Sequence, residues 1–273
     1  MTKRVVILGG GFGGVRCALD LARMFVAHTD IELLVIDQNE AHTFTPLLFA
    51  LVGEYPAVAS SNNLEPTLAI PYTELFAGSI IRFVCARVTS IDLRARRIQM
   101  GDQAIGFDVV VIGLGGTSNT FSIPGLAEHA IGFRTRDDAT TIRTRLVALA
   151  QLSHPVTIMF GGAGASGVEL ICASAVFLER VARMHGRDAR QVHLVLIEAL
   201  TSILPGFTPR ARAQTLTRLR ELHIEIMTDS ALHRVERDSV TALHDGQVRN
   251  FNCDLLVWTG GVKAHPLVAS LPE

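Results

Sequence analysis

Two segments of this chain show the same order of apolar and polar positions. Arg4–Leu8 and Val156–Phe160 are short apolar runs rich in β-branched residues, and such runs are typical of buried parallel strands. Each run is followed by a cluster of glycines. The residues after the glycines place apolar side chains at helical spacing, over Val15–Phe25 in the first segment and Val168–Leu178 in the second. The pattern therefore predicts two units, each made of a strand, a tight turn and a helix.

Each unit continues into a further apolar run that ends at an acidic residue. Ile31–Ile36 leads into Asp37, and Val192–Ile197 leads into Glu198. In dinucleotide-binding units, the turn and the helix N-terminus present free N–H groups to a pyrophosphate, and the acid accepts the ribose hydroxyls. The turn residues are Gly9, Gly10, Gly11, Phe12, Gly13 and Gly14 in the first unit, and Gly162, Gly164 and Gly167 in the second. Both units are therefore expected to bind a dinucleotide.

The two halves also end alike, which indicates an internal repeat. Phe107–Ile112 is an apolar run that ends in Gly113–Gly116, and Phe251–Trp258 likewise ends in Thr259, Gly260 and Gly261. We expect an α/β fold with two Rossmann-like dinucleotide-binding domains, whose parallel sheets carry β-meander insertions. The stretch Ile123-Pro124-Gly125 marks the predicted boundary. It gives domains at residues 1–122 and 123–262, with residues 263–273 starting a return to the first domain.

Composition narrows the class of protein. The 273 residues are 48% hydrophobic with a net charge of −1, which allows two modest cores and gives no electrostatic reason to bind nucleic acid. No stretch approaches the ~18 consecutive apolar residues of a spanning helix, and the N-terminus does not have the pattern of a signal peptide. The four cysteines are scattered without a C-x-x-C pair. That predicts buried thiols in a reducing, cytoplasmic compartment, with neither a disulfide framework nor a metal site.

Several features admit a structural interpretation beside a functional one. His42 is expected to be a hydrogen-bonded structural histidine rather than a catalyst. Gly113–Gly116 fits a plain exit loop as well as a close backbone approach to a ligand. Glu169 stands early in a helix, where a carboxylate offsets the helix dipole. Residues 55–71 are rich in Pro, Ser and Asn and predict an exposed excursion.

The combination of these motifs resembles the type II NADH:quinone oxidoreductases, members of the FAD-dependent pyridine nucleotide oxidoreductase superfamily. The resemblance runs from Arg4 almost to the last residue. It rests on Gly9–Gly14 with Asp37, His42-Thr43-Phe44-Thr45-Pro46-Leu47-Leu48, Gly115 with Ser118-Asn119, Ile123-Pro124-Gly125, Gly162–Glu169, Glu198, and Val257-Trp258-Thr259-Gly260-Gly261. Family members continue for roughly another hundred residues. The resemblance thus implies a chain truncated at its C-terminal end, without the segment that closes the flavin domain.

The resemblance implies FAD in the first domain and NADH in the second. The implied FAD contacts are the Gly9–Gly14 turn, Asp37, Gln38, Thr45, Pro46, Leu47, Val88 and Gly115. The implied NADH contacts are Gly162, Gly164, Ser166, Gly167, Glu198 and Gly260. Glu169 matches an acid that lies near the flavin and the nicotinamide in the family, and it is the implied catalytic residue.

Two chemical inferences refine this expectation. Glu198 is followed by Ala199, Leu200 and Thr201, with no cation nearby in the sequence, and a carboxylate repels a 2′-phosphate. NADH is therefore expected over NADPH. The dithiol branch of the superfamily carries a close cysteine pair after the second strand, whereas His42–Phe49 contains no sulfur. Electrons are therefore expected to pass from the flavin directly to an acceptor, and a quinone is the acceptor in the family that the chain resembles.

The resemblance also implies a place in electron transport. It implies a homodimer and a peripheral position on the cytoplasmic face of the inner membrane, reached through a C-terminal segment that this sequence lacks. Two alternatives stay open, a ferredoxin-reductase-like or apoptosis-inducing-factor-like flavoprotein, and a noncatalytic NADH-binding fragment. Bound flavin would exclude the second alternative. A preference for quinone over an iron–sulfur protein would exclude the first.

Overall fold

The computed structural model describes residues 2–53, 68–188, 191–244 and 246–271. Its strands are β1 Lys3–Leu8, β2 Ile31–Asp37, β3 Ala41–Thr43, β4 Ala69–Pro71, β5 Ile81–Cys85, β6 Ser90–Asp92, β7 Arg97–Met100, β8 Gln103–Gly106, β9 Val109–Ile112, β10 Gly116–Ser118, β11 Ala130–Gly132, β12 Val156–Gly161, β13 Val192–Ile197, β14 Glu225–Met227, β15 Ser230–Val235, β16 Ser239–His244, β17 Gln247–Asn252, β18 Leu255–Trp258 and β19 Val262–Ala264. Its helices are α1 Phe12–Phe25, the 3₁₀ turn Thr45–Leu47, α2 Leu48–Gly53, α3 Tyr72–Leu75, α4 Leu126–His129, α5 Arg136–Ala150, α6 Ala165–Met184, α7 Pro209–Glu221 and α8 Pro266–Ala269.

The chain forms two compact units. The first contains the described residues of Met1–Phe44, Pro66–Thr117 and Lys263–Glu273, and the second contains those of Thr45–Glu65 and Ser118–Val262. Residues 45–53 differ from the sequence-based division, which placed them in the first domain. Helix α2 buries Leu48, Leu51 and Val52 and contacts α5 and α6 of the second unit, which explains the difference.

The first unit is built on a four-stranded parallel sheet with the order β5-β2-β1-β9. Successive side chains of a strand point to opposite faces. On β1, Val5 and Ile7 pack against apolar residues of α1, whereas Val6 and Leu8 pack with Ile98 of the antiparallel meander β6-β7-β8. Both faces of the sheet are therefore covered, which accounts for the uninterrupted apolar run in the sequence.

The second unit repeats this plan on a five-stranded sheet. The order is β11-β18-β12-β13-β14, and all pairings are parallel. Met159 and Val195 pack with Leu232 and Val240 of the antiparallel meander β15-β16-β17, while α6 contacts β12 and β13. The expected α/β class with two Rossmann-like units and meander insertions is confirmed. In the described part of the chain, no helix has both the length and the apolar composition needed to cross a membrane.

Two local predictions differ from the structure. The apolar run Phe251–Trp258 was predicted as one strand, but it divides between β17 and β18. The break occurs because β17 pairs antiparallel with β16, whereas β18 enters the parallel sheet, and Asp254 between them accepts a hydrogen bond from Thr157 N at 2.7 Å. The excursion predicted over residues 55–71 lies mostly outside the described residues. Its end, Ala69–Pro71, forms β4 and pairs with β3.

Candidate functional site

Both glycine turns lie where the order of strands reverses. The chain leaves β1 through the first turn and returns as β2 on one side, while β9 lies on the other side of β1. It leaves β12 through the second turn, with β13 on one side and β18 on the other. Ligands of open α/β sheets bind at the carboxyl ends of strands at such a switch point. The topology therefore assigns one candidate site to each unit.

The first turn needs glycine for steric reasons at two positions. Gly9 has a φ of 98°, and its N–H donates to the Ile36 carbonyl at 2.8 Å. A Cβ added to Gly14 would lie 1.8 Å from the Gly9 carbonyl oxygen, so α1 can approach the turn this closely only without a side chain there. Gly11 caps α1 with φ −68° and ψ −175°. This is the packing that directs a helix N-terminus at the turn.

The second turn reproduces this geometry closely. Gly162 has a φ of 100° and donates to the Ile197 carbonyl at 2.9 Å. A Cβ on Gly167 would lie 1.9 Å from the Gly162 carbonyl oxygen, and Gly164 caps α6 with φ −70° and ψ −178°. The two turns are therefore structural equivalents, as the repeat in the sequence predicted.

The acid at the end of the second strand supports the turn in both units. Asp37 Oδ2 accepts a hydrogen bond from Gly10 N at 2.7 Å, and Oδ1 accepts one from the N–H two residues further along, at 2.8 Å. Glu198 Oε2 accepts from Ala163 N at 2.6 Å, and Oε1 accepts from the N–H two residues further along, at 3.0 Å. Both acids are half-buried. A carboxylate has about four acceptor positions, so each acid keeps capacity for a further donor such as a ribose hydroxyl.

The described residues of both turns fit a pyrophosphate. Cβ atoms built on Gly11, Gly13 and Gly164 meet nothing within 4 Å, so these glycines border open space. The first N–H groups of α1 and α6 have no partner within their own helices and point toward this space. Backbone donors, a helix N-terminus and room for close approach are the three requirements for holding this anionic group.

Residues that the sequence analysis did not assign to the first site hold its turn. Tyr72 Oη donates to the Gly10 carbonyl at 2.7 Å, and His42 Nδ1 donates to the same oxygen at 2.9 Å. The buried His42 ring also packs edge-on against Phe12. The structural interpretation of His42 is therefore confirmed. Nothing in the local sequence around Tyr72 signals this role.

Thr259 has the corresponding place in the second unit. Its Oγ1 lies 2.9 Å from the carbonyl oxygens of both Gly161 and Gly162, so its proton is shared between them. A Cβ on Gly162 would lie 2.9 Å from Gly260 N, and in the first unit a Cβ on Gly9 would lie 2.3 Å from the Gly113 oxygen. The strand that ends in glycines thus packs against the turn in each unit. The repeated strand-end glycines were the sequence signal for this contact.

The other residues implied for FAD are more dispersed. Gln38 is exposed, and its carbonyl accepts a weak hydrogen bond from the Cys85 thiol at 3.6 Å. Val88 is half-buried against the sheet core, and Gly115 is exposed with a φ of 66°. Thr45, Pro46 and Leu47 form the exposed 3₁₀ turn that belongs to the second unit. Within the first unit, the structure brings together the glycine turn and Asp37.

The residues implied for the second site include two on α6 and one after β18. Ser166 is exposed in the first turn of α6, and Gly260 packs against the ring of Trp258. Glu169 follows one turn later on α6. It lines a groove of about 610 Å³ together with Cys172, Val176 and residues of α2 and α7. Glu169 is exposed, and partial desolvation at the groove raises the pKa of its carboxyl group above the ordinary value.

The cysteines differ in burial: Cys253 is buried as predicted, whereas the prediction of a buried thiol is wrong for Cys85, which ends the edge strand β5 and is exposed. All four lie in the described part of the chain, and Cys17, Cys85, Cys172 and Cys253 are free. The described residues also contain no cluster of three or more His, Cys, Asp or Glu side chains that could hold a metal ion.

The fold and the paired turns define an α/β protein with two dinucleotide-binding domains. The sequence matches the model of the pyridine nucleotide-disulphide oxidoreductase family over residues 3–271. The chain belongs to this family.

Within this family, the chain is similar in sequence to quinone reductases and in structure to an NDH2. The chain is 32% identical to the demethylphylloquinone reductase NdbB of Synechocystis, with 98% of this chain and 64% of that protein covered. It is 26% identical to the type II NADH:quinone oxidoreductase NdhA of Mycobacterium tuberculosis, with 99% and 59% covered. The structure of NDH2 from Plasmodium falciparum in complex with NADH superimposes with a TM-score of 0.87 at 21% identity, covering 98% of this chain and 57% of that one. The chain thus spans less than two thirds of the length of these relatives.

Proposed function

We propose that this chain is a flavoprotein that passes a hydride from NADH to FAD and then electrons to a quinone. The observation that carries the proposal is the pair of equivalent turns, each with a half-buried acid bonded to it. One turn would serve the flavin and the other the nicotinamide nucleotide. Relatives named as quinone reductases support this reaction, as does membership in a family named for pyridine nucleotides.

Two sets of residues would bind the two cofactors. The FAD contacts would come from Gly9–Gly14, Asp37, Gln38, Thr45, Pro46, Leu47, Val88 and Gly115. The NADH contacts would come from Gly162, Gly164, Ser166, Gly167, Glu198 and Gly260. Bound FAD supplies the hydride acceptor and the electron donor of the reaction, so the protein itself needs no redox-active side chain. The chain's residues bind and orient the two nucleotides.

The second site favours NADH over NADPH. Glu198 is half-buried, and its carboxylate accepts two backbone hydrogen bonds at the end of β13. A carboxylate accepts hydroxyl donors but repels a 2′-phosphate.

A quinone is the proposed acceptor because the chain offers no dithiol for a relay. Its four cysteines are free, and none lies in the segment after β2 and β3 where a pair would be expected. Glu169 is the proposed catalytic residue, with its carboxyl group in the groove between α6, α7 and α2. A cytoplasmic position, attachment to the membrane surface through a C-terminal segment and a homodimer complete the proposal. The resemblance alone supports these three points.

The test begins with the absorption spectrum of the purified chain before and after anaerobic NADH. We expect a flavin spectrum that bleaches with NADH and recovers with a water-soluble quinone. Apoprotein that cannot be reconstituted with FAD would contradict the proposal. Recovery with an iron–sulfur protein but not with quinone would instead favour a ferredoxin-reductase-like enzyme. NADH binding without flavin or turnover would favour a noncatalytic module.

Two matched variants assign the cofactors to their sites. Glu198→Gln keeps the size of the side chain but removes its charge, and should weaken NADH binding by about 1–3 kcal/mol without changing FAD content. Asp37→Asn is the equivalent change in the first unit. It should weaken FAD binding by a similar amount and leave NADH binding intact. Loss of the same cofactor in both variants would show that the two turns do not have separate ligands.

A further inference from the structure

A second groove in the second unit shares no lining residue with the glycine turn or with the groove beside Glu169. Its volume is about 430 Å³. The loop after β13, one face of α7 and the edge strand β14 form its walls. None of the residues implied for NADH lines it.

The groove contains two positive charges and no negative one. Arg212 and Arg220 stand eight residues apart on α7 and both line it. Neither forms an ion pair with a described residue. Arg218 on the same helix differs, because it pairs with Glu221 at 3.0 Å and lines the groove beside Glu169 instead. The two groove arginines therefore remain uncompensated.

Arg212 has a donor that needs an acceptor. Its Nη2 donates to the Phe207 carbonyl at 3.4 Å, which is a long and weak bond. Its Nε is buried and has no hydrogen-bond partner among the described residues. A buried N–H of a charged group is costly to leave unpaired, so this Nε is a donor for an acceptor that enters the groove.

The remaining walls are suited to an anion that carries an apolar part. Hydroxyl donors line the groove at Thr201, Ser202 and Thr228. Between them, Ile203 and Leu216 supply apolar surface. A guanidinium matches both phosphate and carboxylate oxygens. Two guanidiniums and three hydroxyls together offer more donors than one carboxylate can accept, so the groove favours a phosphate.

We propose that this groove is a binding site for a small phosphomonoester with an apolar body. The phosphate contacts Arg212 and Arg220, and the apolar body lies against Leu216 and its neighbours. The site shares no lining residue with the dinucleotide turn, and its binding does not depend on the proposed oxidoreductase function. The loop that carries Thr201 and Ser202 begins at Glu198, so the phosphate site is close in the chain to the acid of the second turn.

Calorimetric titration of the full chain with phenyl phosphate tests the proposal. We expect saturable binding with one site per chain, weaker binding of inorganic phosphate and none of phenol. Arg212→Gln and Arg220→Gln should each weaken the binding of phenyl phosphate by roughly tenfold, because each removes a charge-assisted hydrogen bond. Arg210→Gln is the matched control, since Arg210 is an exposed arginine on the same helix outside the groove. Its affinity should equal that of the wild type.

Two controls distinguish loss of phosphate binding from loss of folding and from competition at the dinucleotide site. Arg220 is exposed, so its variant should fold even where the Arg212 variant does not. Unchanged affinity in Arg220→Gln, or equal binding of phenol, would overturn the proposal. A further titration is done with the chain saturated with NADH, which should leave the binding of phenyl phosphate intact. Loss of phenyl phosphate binding in the NADH-saturated chain would make the arginines part of the dinucleotide site, and this too would overturn the proposal.

Discussion

Tyr72 donates its hydroxyl proton to the carbonyl of Gly10 across 62 positions of the chain, at 2.7 Å. The same carbonyl accepts a second hydrogen bond from His42 at 2.9 Å, so both of its lone pairs are used. The N–H of Gly10 is held by Asp37. Every polar backbone atom of Gly10 is thus fixed by a side chain from elsewhere in the first unit, which keeps the turn in its binding conformation.

Replacing Tyr72 with phenylalanine should loosen this turn. The change removes one hydrogen bond from a buried carbonyl that retains His42, so the free energy of unfolding should fall by about 0.5–1.5 kcal/mol. FAD affinity should fall as well. Urea denaturation and a flavin titration measure the two effects. The double variant with His42→Phe should cost more than the sum of the single changes, because only then is the carbonyl left unpaired. Strict additivity would argue against the shared acceptor.

The pH dependence of Tyr72→Phe provides a second check. Burial, and then the charge of Asp37, raise the pKa of Tyr72 above the ordinary tyrosine value. A group with a raised folded-state pKa contributes stability that is lost as the pH rises above its unfolded-state pKa. The free energy of unfolding of the wild type should therefore fall toward that of the variant above about pH 10, where an unfolded tyrosine ionises. A difference that stays constant to pH 11 would show that the hydroxyl is not buried.

Two glycines of the second turn should respond differently to alanine. A Cβ at Gly167 would lie 1.9 Å from the backbone oxygen of Gly162, so Gly167→Ala should destabilise the chain by about 1–3 kcal/mol or more. Gly164 has no atom within 4 Å of such a Cβ, and its backbone suits alanine. Gly164→Ala should therefore keep the wild-type melting temperature. It should lower the affinity for NADH, because the added methyl group enters the space proposed for the pyrophosphate. Wild-type NADH affinity in Gly164→Ala would remove the turn from the binding site.

Elements with both faces buried were predictable, whereas contacts over long distances were not. The strand β13 was predicted at its observed bounds because the run Val192–Ile197 is apolar except for His193 and is followed by Glu198. Tyr72 could not be assigned to the first site, because its position depends on the pairing of β3 with β4. The unit to which α2 belongs was also unpredictable, since its buried side chains are equally apolar in either setting. Arg212 and Arg220 reach the loop after Glu198 only through the packing of α7.

The groove beside Glu169 should make stability depend on the charge of that residue. Partial burial raises the folded-state pKa of Glu169, so its ionised form is disfavoured by folding. Stability should fall as the pH rises through the interval above the ordinary carboxyl pKa. Because Glu169 is exposed, solvent screens this effect, so Glu169→Gln should raise the melting temperature only slightly at neutral pH, with the gain disappearing at low pH. Glu179→Gln is the control of opposite sign, because it breaks a surface ion pair with Arg183 at 2.6 Å and should lower stability slightly.

The four thiols should differ widely in reactivity toward a soluble alkylating agent. Cys253 is 4% exposed, and burial raises its pKa to about 12, so it should stay unmodified at pH 8 until the chain is unfolded in urea. Cys85 is exposed and should react first. Its pKa is raised, by local desolvation first and then by Glu40 and Asp37, so it should still react more slowly than free cysteine near neutral pH. Mass spectrometry of alkylated peptides over time gives each rate, and Cys85→Ser should remove the fastest phase. Modification of Cys253 in the native chain at the rate of Cys85 would contradict the burial of β18 and its preceding residues.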